Sequence, residues 1–147
     1  MAFLSSLNIS GSALTAQKLR MQVTAQNLAN ADTMVSDGGG PYKRKTVVLA
    51  ERRIPSDIKS NLKVAEEEIK SFGGVMAVSI REDAEGFVLK YDPDDPAADG
   101  EGDVRRPGID TTEEMIAMMA ASRMYEANIT VFNAVKSMAG KALEIGK

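Results

Sequence analysis

Apolar side chains recur at seven-residue spacing through the last quarter of the chain, and no proline interrupts them. Met115, Met118, Tyr125, Ile129, Phe132, Ala139 and Leu143 follow one 3-4 heptad register, in which Ser122 and Lys136 are the polar members. Ala121, Met124, Val131, Val135, Met138, Ala142 and Ile145 follow another, with Asn128 as its polar member. Heptads sustained over four repeats specify a long helix that lies along partner helices, instead of one half-sunk in a globular core. The start of that helix is also marked. Asp110 with Glu113, and Thr111 with Glu114, each have capping-box spacing, which satisfies the first free amides of a helix.

The beginning of the chain repeats the theme. Leu7, Leu14, Met21 and Leu28 recur every seven residues, and Ile9, Ala16, Leu19 and Val23 form a second row on another face. Proline is absent from residues 1–40, so the spacing predicts a helix over about 5–29, weakened locally by Gly11. One partner helix covers one apolar seam. Two seams on each arm therefore predict that the arms pair with each other and with neighbouring copies. Contacts of that heterologous kind build a ring or a helical polymer. A helix pair buried in one larger core is the competing reading, as is a discrete cytosolic adaptor dimer.

Charge separates the arms from what lies between them. Residues 37–110 hold 28 of the 39 charged side chains, so the middle is too polar to supply a large core. Gly38-Gly39-Gly40-Pro41 opens this insert and Pro107-Gly108 closes it. The expected division is an N-terminal helix in 1–34, a β-rich insert in 35–109 and a C-terminal helix in 110–147. Inside the insert, Lys45–Ala50 and Val75–Ile80 have strand composition, and Phe87, Leu89 and Tyr91 alternate. The turn residues Glu82, Asp83, Glu85 and Gly86 between the last two predict a hairpin. Ile58, Leu62, Ala65 and Ile69 have helical spacing, which fits a short amphipathic helix or a loop. The fold class is thus α+β, with two long terminal helices in a coiled-coil domain and a small β-rich insert.

Chemistry is constrained by absences. The 147 residues include no His and no Cys, which removes imidazole bases, thiolate nucleophiles, disulfides and the usual zinc ligands. A net charge of −3 with no concentrated basic surface argues against nucleic-acid binding. No apolar run is long enough to span a bilayer. The first basic residue is Lys18, so the expectation is a chain that stays in the cytosol or is exported without a cleaved signal.

The acidic stretch Asp92–Asp103 fails the calcium-loop test. Counting from Asp92, Ala97 stands where glycine is required; counting from Asp95, Arg106 replaces the closing glutamate. Glu66, Glu67 and Glu68 are consecutive, so on a helix they fan outward and do not converge on one glycosidic bond. Lys43-Arg44-Lys45 and Arg52-Arg53 are short and diluted by acids, and Gly38-Gly39-Gly40 lacks the Lys and Ser/Thr of a phosphate loop. The expectation is no catalysis, no metal and no cofactor.

Residues 10–33, SGSALTAQKLRMQVTAQNLANADT, resemble the N-terminal signature of the flagellar basal-body rod and hook family. Residues 113–147, with SRMYEAN inside them, resemble that family's C-terminal helix. GGPYKRKTVVL (39–49) and YDPDDPAADGEGDV (91–104) are similar to its proximal rod members, although residues 51–74 match no pattern of the family. The resemblance implies a structural subunit of the proximal rod, in a helical tube that transmits motor torque across the cell envelope. Another rod or hook-type subunit of the family is the nearest alternative. It implies contacts with copies of itself, with other rod proteins and with membrane-ring and export-gate components at the rod base. Export would be by the flagellar type III route. Axial contacts are expected from Leu7, Leu14, Met21 and Leu28, and from Met124, Tyr125, Val131, Phe132, Met138 and Leu143. Asn27 and Asn30 match the family's Asn-x-Ala-Asn element and are expected to cap the helix or fix register between subunits.

Overall fold

A computed structural model describes residues 2–36, 39–52, 73–84 and 86–145. Among these residues, two long helices bracket four short strands: α1 (Ala2–Ala29), β1 (Lys45–Glu51), β2 (Val75–Glu82), β3 (Phe87–Tyr91), β4 (Asp103–Pro107) and α2 (Thr111–Ile145). The proline-free heptad segments became helices of 28 and 35 residues. At 1.5 Å per residue these extend about 42 and 52 Å. The segment 58–69, with its helical spacing, lies outside the described residues.

Local chemistry fixes both helix ends near the insert. Asp110 caps α2: its Oδ1 accepts the amides of Thr112 at 2.7 Å and Glu113 at 3.4 Å. That short acceptor satisfies two of the donors a helix start leaves open. At the end of α1, the Asn30 side chain donates to the Gln26 carbonyl at 2.8 Å, and Asn30 Oδ1 accepts the Thr33 hydroxyl at 3.2 Å. Asn30 is thus a cap, one of the two roles expected for it.

The strands are where the sequence spacing predicts three of them, but their pairing differs. β2 does not form a hairpin with β3; the sheets are β1–β2 and β3–β4. The link between β2 and β3 is pulled two ways. The Asp83 amide donates to the Arg44 carbonyl at 2.9 Å, whereas Gly86 accepts from the Gly108 amide at 3.1 Å. Its two ends are therefore committed to different neighbours. β4, Asp-Val-Arg-Arg-Pro, was not expected as a strand. It pairs antiparallel with β3, from Phe87 opposite Pro107 to Tyr91 opposite Asp103. Three charges in five residues conceal its two buried positions, Val104 and the closing Pro107.

The chain gathers into two compact units, each drawing on both helices. One comprises the described residues of 1–19, 48–79 and 121–147. Its core includes Ala16, Ala121 and Val135, and Gln17 Nε2 lies 3.5 Å from the sulfur of Met124. β2 is pinned to α1 there by Ser12, whose Oγ accepts the Val75 amide at 3.0 Å. Gly74 precedes that contact with φ +143°, and a Cβ at this position would stand 2.6 Å from Ser12 Oγ. Glycine is required on both counts.

The other unit comprises residues 20–47 and 80–120. Val23, Thr24, Asn27, Tyr42, Val104 and Glu114 are buried in it. Gly39 and Gly40 take φ of +72° and +136°, and the Ser36 amide donates to the Gly40 carbonyl at 2.7 Å. The Tyr42 amide donates to the Thr33 carbonyl at 3.0 Å, returning the chain to the end of α1.

Candidate assembly surface

Each unit brings a part of α1 against a part of α2. Gln17 meets Met124, and ten residues further along α1, Asn27 meets Glu114, ten residues back along α2. On α2, Glu114, Met118, Ala121, Tyr125, Asn128, Phe132, Val135 and Ala139 are buried or half-buried, with Ala117 and Ser122 half-buried beside them. The first eight form one row. They alternate by four and three, which is the spacing of one continuous seam. This seam takes alternate members from each of the two registers expected from the sequence. Three adjacent rows of α2 are rich in apolar residues, and periodicity alone does not say which two face inward.

What the seam leaves out is a row on its flank. Met124, Val131 and Met138 follow one another at heptad spacing and are 48%, 50% and 52% exposed. Met115, Ile129 and Leu143 occupy the other flank and are also exposed, Leu143 by 76%. On α1, Leu7, Leu14, Met21 and Leu28 are half-buried, whereas Ala16 and Val23 of the second row are buried. The expected contact residues therefore divide into two groups. Tyr125 and Phe132 lie on the seam inside the subunit; Met124, Val131, Met138 and Leu143 present apolar surface outward.

Asn27 is placed differently from either role expected for it. It is 1% exposed and its amide is fully used. Nδ2 donates to the Lys45 carbonyl at 2.8 Å and to Glu114 Oε2 at 3.1 Å. Oδ1 accepts the Tyr42 hydroxyl at 3.1 Å and the Lys45 amide at 2.9 Å. It neither caps α1 nor retains hydrogen-bonding capacity for a neighbour. Glu114, 2% exposed, accepts Arg44 Nε at 2.7 Å and Arg44 Nη2 at 2.6 Å through Oε1. Both arginine nitrogens converge on one oxygen in a charge-assisted contact, and the other oxygen is taken by Asn27. Burial pushes the Tyr42 phenol up, and the carboxylates of Glu82 and Glu114 add to the shift. Spacing marked Glu114 as a capping-box acid; its neutralising arginine and its asparagine donor come from 70 and 87 residues away.

The remaining polar features resolve into local structure. In the β3–β4 loop, Asp99 Oδ1 accepts the amides of Glu101 and Asp103, both at 3.0 Å. Those bonds hold its carboxyl below the usual range. Arg106 Nη2 lies 3.4 Å from Asp95 and 3.8 Å from Asp92. A cleft of about 510 Å³ includes Tyr42, Lys45, Phe87 and Arg105 in its lining. Lys45 and Arg105 stand over the Tyr42 and Phe87 rings, at 5.6 and 5.3 Å from their centres. Among the described residues, no three carboxylates are grouped to hold a metal ion. No helix there is long and apolar enough to cross a membrane. Glu66, Glu67 and Glu68 lie outside the described residues.

Both helices also match known families. Residues 7–34 match the family described as flagella basal body rod protein, and residues 101–145 match the flagellar basal body rod FlgEFG protein C-terminal family. The chain is 43% identical to the flagellar basal-body rod protein FlgC of Bacillus subtilis, over 97% of each chain. It is 41% identical to FlgC of Salmonella typhimurium over the whole of both chains. The chain belongs to the FlgC family of flagellar basal-body rod proteins. The FlgC of an Escherichia coli strain is 40% identical, again end to end. The similarity to FlgC proteins thus spans the insert as well as both helices.

Proposed function

We propose that this protein is a structural subunit of the proximal flagellar rod, polymerising through α1 and α2 into the axial tube that transmits motor torque. The observation that carries this reading is the Met124, Val131 and Met138 row, half-exposed beside a seam already filled within the subunit. Membership of the FlgC family supports the place of assembly. Covering each of these side chains would contribute roughly 1 kcal/mol, half of what full burial provides. One such contact is weak, but every subunit of a polymer repeats it along its neighbours.

In this reading the protein acts by packing and not by catalysis. Its neighbours are copies of itself and other rod proteins, with membrane-ring and export-gate components at the rod base. The helical arms, 1–34 and 110–147, are the axial parts, and the insert, 35–109, is carried by them. Leu7, Leu14, Met21 and Leu28 supply the α1 side of the contacts, and Leu143 extends the α2 side. The rod crosses the periplasm, and the subunit reaches it by export without a cleaved signal.

The discriminating variants are Val131→Asp and Met138→Asp, separately and together. An aspartate on a half-exposed position of the free subunit stays hydrated, so circular dichroism and the urea midpoint remain near the parent's. Once a neighbour covers it, the same charge is buried without a partner. The expected result is a folded protein, secreted normally, with loss of swimming and of rod-containing basal bodies. Normal swimming by the double variant would refute the assignment. Phe132→Asp and Leu14→Asp are less informative, because both side chains are already partly covered within the subunit.

A further inference from the structure

We infer that Asn27 and Glu114 form a register key that selects one alignment of α1 against α2. The apolar pattern alone leaves an alternative. The heptads of α2 repeat through its 35 residues, so their spacing also admits an alignment displaced by seven. A slide of seven carries every seam position onto the next member of its own row. Met118, Tyr125, Phe132 and Ala139 exchange places, as do Ala121, Asn128 and Val135, and the faces in contact remain largely apolar. Heptad packing therefore discriminates poorly between the two alignments.

The polar pair does discriminate. In the observed alignment Asn27 Nδ2 meets Glu114 Oε2 at 3.1 Å, and both residues are almost completely buried. After the slide Asn27 would face Ala121, whose side chain accepts no hydrogen bond. Glu114 would lie beyond Ala29, the last residue of α1. A buried donor without an acceptor is a direct penalty against that state. The other polar seam residue, Asn128, donates to the Met124 carbonyl of its own helix at 2.7 Å, so it does not read the partner. Buried polar residues at single seam positions are a general means of fixing coiled-coil register. Here the key determines which member of each α2 row stands at a given level of α1.

The absence of cysteine permits a clean test on the full-length chain. Two reporter pairs are introduced separately: Gln17→Cys with Met124→Cys for the observed alignment, and Gln17→Cys with Val131→Cys for the slid one. Each is treated in dilute solution with a short bis-maleimide, and intrachain products are resolved by gel mobility. The otherwise unchanged chain should cross-link in the first pair and not in the second. Glu114→Gln keeps an acceptor oxygen for Asn27 and should preserve that selectivity. Glu114→Leu should lose it, with product appearing in the second pair. If Glu114→Leu does not fold, Glu114→Ala combined with Ala121→Glu decides the matter, because it moves the acceptor one heptad along α2. Product should then shift to the second pair. Cross-linking confined to the first pair in a folded Glu114→Leu chain, or no shift in the relocated variant, would overturn the key. Motility does not enter these measurements, so the key and the rod reading fail independently.

Discussion

The two portions of the helix pair solve opposite problems. Where α1 ends and α2 begins, the contact is polar and closed: Asn27, Glu114, Arg44, Tyr42 and the Lys45 backbone satisfy one another. Along 121–145 of α2 the contact is apolar and open, with Met124, Val131, Met138 and Leu143 left at the surface. Specificity therefore resides in one portion and capacity for association in the other. Directional hydrogen bonds penalise every alignment but one, whereas apolar surface accepts any partner of suitable shape.

That contrast can be broken experimentally, and the closed portion should give the largest effect. Glu114→Ala removes the acceptor shared by Arg44 and Asn27. Arg44 can turn to solvent, so the cost should be about 2–3 kcal/mol, below that of breaking a fully buried pair. A urea midpoint that hardly moves would mean that the network does not hold the helices. Gly74→Ala should come next, at roughly 1–2 kcal/mol, because it combines a disfavoured φ with a clash at Ser12. Tyr42→Phe deletes one donor to Asn27 and should cost about 1 kcal/mol by the same measurement.

In the open portion, Met138→Asp should change subunit stability by no more than about 0.5 kcal/mol while abolishing assembly. A large stability loss there would erase the distinction between the two portions. The smallest effect is a local one, in the β3–β4 loop. The Asp99 carboxyl titrates below its ordinary value of 3.8 because the amides of Asp103 and Glu101 favour its charged form. Its contribution is present above that ordinary value and is lost as pH falls through the folded-state value. Protection of the Glu101 and Asp103 amides, taken relative to intrinsic exchange at each pH, should fall selectively on acidification, and Asp99→Asn should flatten that dependence.

Much of the helical architecture was legible because its signals are local. Proline-free heptads, Asp110 before Thr111 and Asn30 after Ala29 act within a few residues of where they stand in the sequence. The insert was legible only in part. Val75–Glu82 and Phe87–Tyr91 show themselves as strands, but nothing between them reveals that Asp83 binds near Arg44 while Gly86 binds Gly108. β4 was hidden because Val104 and Pro107 are its only buried residues and the three between and before them are charged. Glu114 was misleading for a related reason. A glutamate in a first helical turn usually faces solvent, and the arginine and asparagine that bury it lie far away in sequence.

By itself, then, the sequence determined two long amphipathic helices, a charged insert, and a chain without the side chains most catalysis requires. Periodicity and composition suffice for that, since each depends on neighbours along the chain. Only the tertiary structure decided which rows of α2 face α1, which strands pair, and that Asn27 lies inside the subunit. Those outcomes depend on long-range hydrogen bonds, and a seven-residue repeat is unchanged by a seven-residue slide. The tie between two equally apolar alignments is broken by one buried amide and the carboxylate that answers it.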